Sequence, residues 1–311
     1  MRVKYQIAII KNMKNYFFAL CLAACWGTAY LFSKNILDVI TPCWATFLIV
    51  LAGLLFFIVF FGVQKCKLSC PIRELWRPWI ISFLLILLPF TARSWGLQYT
   101  DPTIAGILNG TVPIWSFLLA AVLLKGIDRF TWPRAIGVML GLIGLLVIVT
   151  PQLKDLKTSA VHILALFGYA ALLIMAISYA LGNVLTKKIM VDSSAMTWQA
   201  NTVHQYLFAA VILAIISFTV EPMPVWSAFN TKLVMSILCA GVLSSAVAFL
   251  LMVALIRNWG ATRMASVTYF TPVIAMFTDI VFRGRAPQNA EIAGLVIILL
   301  SLLLMQKKVS D

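Results

Sequence analysis

The chain has 311 residues, 62% of them hydrophobic and 11% charged, with a mean hydropathy of +1.00 and a formal net charge of +14. So apolar and charge-poor a composition excludes an ordinary soluble domain. The basic residues are scattered between apolar runs instead of gathered on one segment, so the charge argues for bilayer topology and against a nucleic-acid partner.

A helix needs about 20 mostly apolar residues to cross a hydrocarbon core of about 30 Å. Stretches 15–33, 39–64, 102–124, 135–153, 158–186, 193–220 and 233–256 hold no Asp, Glu, Lys or Arg. Three more runs are interrupted: 78–98 by Arg93, 262–282 by Arg263 and Asp279, and 288–306 by Glu291. Taken along the chain, these predict an all-α polytopic membrane protein with ten spans, at 15–34, 43–63, 78–98, 102–124, 132–150, 161–187, 197–219, 231–257, 262–282 and 288–306. Residues 1–14 form a leading segment and 307–311 a tail, and the polar stretch 151–160 (PQLKDLKTSA) links a first unit, 15–150, to a second, 161–306. Lys11 and Lys14 precede a full-length apolar run with no small-residue cleavage site, so the first helix is expected to stay. With the N-terminus inside, cytoplasmic segments carry 17 Lys or Arg against 6 in the outer segments, which places both termini in the cytoplasm.

The two units echo each other. Residues 26–34 (WGTAYLFSK) return weakly as 179–187 (YALGNVLTK), and 100–113 (TDPTIAGILNGTVP) returns as 259–272 (WGATRMASVTYFTP), aligning Thr103 with Thr262, Gly106 with Ala265 and Pro113 with Pro272. Gly137 and Gly294 hold like places in the fifth and tenth spans. Five spans per unit is an odd number, so the second unit enters the membrane inverted, the usual scaffold for alternating access. Pro113 and Pro272 each remove a backbone hydrogen bond at matching points and are candidate hinges, although proline is also simply commoner in membrane helices. Gly137, Gly141 and Gly144 line one face of the fifth span and allow close helix packing, with a homodimer contact as one use.

The ten spans, the two five-helix units, the opening from Trp26-Gly27 to Lys34, the small-residue entry to spans four and nine with its later proline, and the Gly-rich fifth span resemble the EamA branch of the drug/metabolite transporter superfamily, over about residues 15–306. That resemblance implies a bacterial inner-membrane carrier of small metabolites such as amino acids, often an exporter, with no cofactor. Many members carry Gly-Glu after spans four and nine. This chain has Gly126-Ile127-Asp128 and Gly284-Arg285 there, so a role for that glutamate does not transfer, and Asp128 is its nearest stand-in.

Polar groups at lipid depth are the candidate transport residues, because partners, water or substrate must offset their desolvation. Arg93 lies roughly 7 Å from the centre of its span and presents a planar fork suited to a carboxylate or phosphate; a structural ion pair or a snorkelling side chain is the alternative. Asn109, at similar depth, can face the same cavity. In the second unit His204 can bind substrate or relay protons, Asn183 adds an amide, and Asp279 is a proton-coupling candidate against a simple pair with Arg283 at i+4. Trp26, Tyr30, Tyr179 and Tyr269 supply aromatic walls or ordinary packing.

Catalysis and metal binding find no support. HExxH, GxSxG and GxxxxGK[ST] are missing, and the pairs Cys21/Cys25 and Cys66/Cys70 have no His or carboxylate at ligand spacing. The expectation is a secondary or facilitative carrier, exporting an amino acid or related compound. Uptake of a nucleotide-like metabolite, or a non-transporting receptor or assembly factor, are the other readings.

Overall fold

The computed structural model describes residues 2–123, 132–154, 160–190, 196–259, 264 and 266–306; Asp128, Thr262 and Ala265 lie outside them, as do the tail 307–311 and residues 155–159 of the linker. Among the described residues every regular element is helical. That is the expected solution in lipid, where a backbone must satisfy its own N–H and C=O groups.

The first unit holds α1 (Arg2–Leu37), α2 (Pro42–Val63), α3 (Trp76–Ser82), α4 (Leu88–Tyr99), α5 (Pro102–Asn109), α6 (Val112–Leu123) and α7 (Trp132–Lys154). The second holds α8 (Ala160–Met190), α9 (Trp198–Val220), α10 (Thr231–Leu238), α11 (Ala248–Trp259), α12 (Phe270–Arg283) and α13 (Asn289–Gln306). Among the described residues seven continuous helical stretches are long and apolar enough to cross a membrane, running from Met13–Leu37 to Thr231–Asn258. Shorter apolar helices, Ile136–Ile148 and Asn289–Ser301, occupy the predicted fifth and tenth spans.

Two departures from plain α-helix recur in both units. The turn widens to π-helix at Phe83–Leu87, between α3 and α4, and again at Cys239–Val247, between α10 and α11. Such bulges are frequent at functional sites. The helices that follow are interrupted as well: α5 stops at Asn109 and α6 resumes at Val112, while a 3₁₀ turn, Ser266–Tyr269, leads into α12. Pro113 and Pro272 therefore stand in the first turn of a resumed helix, where a missing N–H costs no intrahelical bond.

Packing joins the units face to face. Helix α4 lies on α8, α2 on α9, α12 between α1 and α5, and α7 along α13. The glycine face of α7 is taken up inside the chain: a Cβ on Gly144 would come within 3.0 Å of the Gly294 carbonyl oxygen, and one on Gly294 within 2.8 Å of that of Gly144. Backbones this close need both residues without side chains.

Ends are fixed by polar caps. The Glu221 carboxylate, following α9, accepts from the Thr41 hydroxyl at 2.5 Å and from the Cys43 and Trp44 N–H groups at 3.0 and 3.2 Å, setting negative charge on the N-terminus of α2. Lys34 donates to the carbonyls of Leu97 and, at 3.0 Å, Thr100, capping the C-terminal end of α4. The lysine of the Trp26–Lys34 motif thus ties α1 to α4.

Candidate functional site

Arg93 is carried by α4, two turns past the π-helical segment, and is 7% exposed. Its guanidinium lies over the Phe90 ring, 4.6 Å from the centroid, and its Nε has no hydrogen-bond partner among the described residues. Three tyrosine hydroxyls, of Tyr30 on α1, Tyr179 on α8 and Tyr206 on α9, fall within its electrostatic reach. The Asn109 side chain lies near the Tyr30 hydroxyl, and its buried Oδ1 is left without a hydrogen-bond partner among the described residues. Tyr206 also hydrogen-bonds Ser245, in the π-helical segment of the second unit.

The described carboxylates are all engaged elsewhere. Asp38 pairs with Arg283, Glu74 with Arg77, Asp101 and Glu291 with Arg285, Glu221 caps α2, and Asp279 accepts from Thr103. Arg93 is therefore a permanent cation, buried in the middle of the molecule, with no acid within ion-pair distance among the described residues. A buried charge requires a counter-charge or hydrogen bonds. Here the donors are a guanidinium fork and phenolic hydroxyls, and the free acceptor is an amide oxygen. The arrangement fits an anionic group at Arg93 and an N–H or O–H donor at Asn109.

Other candidate residues are held by contacts of their own. Trp26 packs on the apolar cluster of Leu22, Ala248 and Leu255, and Tyr269 is partly buried against the cluster that holds Ile107 and Leu108. Asn183 is on an exposed face of α8. His204 sits two turns into α9, and its Nε2 hydrogen-bonds the Leu68 carbonyl at 3.1 Å, fastening the segment between α2 and α3. Asp279 is fully buried: its Oδ2 accepts from the Thr103 hydroxyl at 2.8 Å and lies 3.8 Å from Arg285 Nη1, while Arg283 Nε stands 4.0 Å from Oδ1. The i+4 pair with Arg283 forms, as one of several contacts.

Tyr206 was not among the residues singled out by sequence. Its signal was present but faint, a phenol in the polar run Asn201–Tyr206 where the histidine is the more conspicuous residue.

Comparison with known proteins follows the same lines. The model of the EamA-like transporter family matches residues 13–150 and 166–306. An S-adenosylmethionine uptake transporter of Rickettsia prowazekii (strain Madrid E) is 26% identical over 249 residues, covering 79% of this chain and 75% of the relative. The uncharacterized transporter YvbV of Bacillus subtilis (strain 168) is 28% identical over 296 residues, covering 92% and 90%. A solved crystal structure superposes with a TM-score of 0.66 at 18% identity over 94% of this chain and 96% of its own, a likeness of fold.

Proposed function

We propose that this chain, which belongs to the EamA-like transporter family, is an alternating-access carrier whose substrate seats its anionic group on Arg93 between two inverted five-helix halves. The chain is a multi-pass membrane transporter; the site, the substrate and the direction are our reading.

The single observation that carries it is the buried guanidinium, with no acid at ion-pair distance among the described residues, in a neighbourhood that includes Tyr30, Tyr179, Tyr206 and Asn109. Those residues come from α1, α4, α5, α8 and α9, so a ligand there touches both halves at once. Repetition of the π-helical segment in the third span and of the break in the fourth and ninth supports two copies of one unit. Pro113 and Pro272 stand at those breaks and serve as hinges. The count of basic residues supports cytoplasmic termini, and the family resemblance is what suggests a bacterial inner membrane.

The substrate is a small polar or amphipathic metabolite bearing a carboxylate, an amino acid or a related compound. Export is the direction the family resemblance suggests. A second reading, uptake of a nucleoside-bearing metabolite, is favoured by the relatives named for S-adenosylmethionine uptake, whose substrate joins an amino-acid head to an adenosine. Both readings use Arg93 for the head group.

Purified protein in liposomes, loaded in turn with a panel of amino acids, their derivatives and nucleosides, decides between them. Flux of a carboxylated compound that is lost in Arg93→Ala is the expected result. A panel in which nothing moves under imposed proton or voltage gradients counts against a carrier and for a receptor.

A further inference from the structure

The end of the molecule where α1, α4 and α12 finish and α5 and α13 begin is closed by a ladder of contacts, every rung of which joins the first unit to the second. The innermost rung is a near-contact of backbones: a Cβ on Gly106 of α5 would lie 2.4 Å from the Ala275 Cβ and 3.5 Å from the Pro272 Cα of α12. One turn toward the mouth, Asp279 takes hydrogen bonds from the Thr103 hydroxyl and N–H at 2.8 and 3.4 Å. At the mouth Arg285 Nε meets Asp101 at 2.6 Å, and the same guanidinium binds Glu291 at 3.0 Å. Beside it Arg283 Nη1 meets Asp38 at 3.1 Å and Asn35 at 3.2 Å.

Local sequence explains why the rungs align. Ala275, Asp279 and Arg283 are spaced i, i+4, i+8 and share a face of α12, while Gly106 and Thr103 are one turn apart on the antiparallel α5. Gly284 then takes φ 66°, the left-handed C-cap that ends α12, and turns Arg285 back over Asp101 and Asp279. Asn109, in the cluster around Arg93, is six residues inward of Thr103 on the same helix, about 9 Å at the α-helical rise. The ladder stands between that cluster and the mouth.

We propose that this ladder is the gate of the Arg285 mouth, held shut by two partly exposed ion pairs, Arg285–Asp101 and Arg283–Asp38, over the buried Asp279–Thr103 hydrogen bond. The inference rests on the carrier reading. Two features mark a joint that opens over a permanent clamp. Arg285 and Asp101 keep 22% and 38% of their side-chain surface in contact with solvent, and Arg283 and Asp38 keep 25% and 45%, so water can replace either pair at small cost. Fully buried Asp279 also leaves its Oδ1 without a hydrogen bond among the described residues, with Arg283 Nε no nearer than 4.0 Å, so the closed arrangement holds an incompletely paired acceptor. Breaking the rungs separates α12 from α5 and α1, and so parts the two units at this end.

The gate is tested without substrate, by the distance between spin labels at Val39 and Gln288, exposed positions on either side of it, in purified full-length protein lacking native cysteines. The parent should show one dominant short distance. Asp101→Asn, which leaves Arg285 paired with Glu291, and Asp38→Asn should each raise a longer-distance population about fivefold, the shift expected when a partly exposed ion pair is lost. Arg285→Gln should raise it further; where that variant folds poorly, the two neutralised carboxylates decide. Parental distances in both Asp101→Asn and Asp38→Asn overturn the gate. Failure of the carrier reading is seen separately, as no flux from any liposome, and leaves these distances unaltered.

Discussion

Replacing Arg93 by methionine should stabilise the protein while abolishing transport. Methionine keeps the length and most of the apolar volume of the side chain and removes a charge that is 7% exposed and pairs with no acid among the described residues. Replacing a whole buried ion pair by apolar residues is commonly neutral or stabilising by about 1–4 kcal/mol, and a buried charge without a partner has still less to lose, whereas breaking a buried ion pair costs about 3–5 kcal/mol. The two roles open to Arg93, substrate ligand and structural pair, therefore predict opposite signs. The expected outcome is an unfolding temperature in detergent equal to the parent's or a few degrees above it. Loss of a charge-assisted hydrogen bond worth about 1.5–3 kcal/mol should weaken substrate binding by roughly one to two orders of magnitude. Arg93→Lys should fall between, keeping the charge and losing the fork. A methionine variant that unfolds well below the parent, or one that carries substrate at the parental rate, would refute the assignment.

Asn109→Leu should weaken substrate binding with little change in unfolding temperature, since the Oδ1 it removes has no hydrogen-bond partner among the described residues; an unchanged apparent affinity in a binding titration would remove Asn109 from the site. Glu221→Ala should lower stability by about 2 kcal/mol in thermal or denaturant unfolding, because it strips both a cap and a favourable charge from the N-terminus of α2. Gly144→Val should cost about 1–3 kcal/mol by overpacking against Gly294 and Ile298 on α13, and a parental melting curve would show that α7 and α13 are not in close contact. His204→Gln should retain the parental pH profile of transport, because the described contact of the ring is to the Leu68 carbonyl; a flattened profile would return it to the proton-coupling role.

How far the site was legible depended on the kind of signal. Arg93 and Asn109 could be found from sequence because a charge or an amide in an apolar run is improbable unless something offsets its desolvation, and that logic is local. The tyrosines offered no such contrast, since a phenol is at home in lipid-facing, interfacial and core positions alike. Tyr30 and Tyr179 were reached through the repeated motif, and Tyr206 was missed because nothing in its neighbourhood repeats. The histidine is the opposite case. Its chemistry is conspicuous in a sequence, yet its position two turns from the end of α9 puts it beside the segment carrying Leu68, out of the central cluster.

By itself the sequence determined that this chain is a helical membrane protein and where its apolar runs lie, because the length of such a run is set by bilayer thickness. It also identified the family, through residues spread along the whole chain. Only the tertiary structure decided which charges meet. Asp279 and Arg283 at i+4 read as a self-contained pair, but the fold brings Asp101 and Thr103 from the start of α5, and Arg285 around Gly284, to the same point, and Lys34 to the end of α4. The physical reason is that hydrophobic periodicity specifies which face of a helix is buried, whereas ion pairs and hydrogen bonds depend on the register between helices, and register is settled by packing that no single stretch of sequence contains.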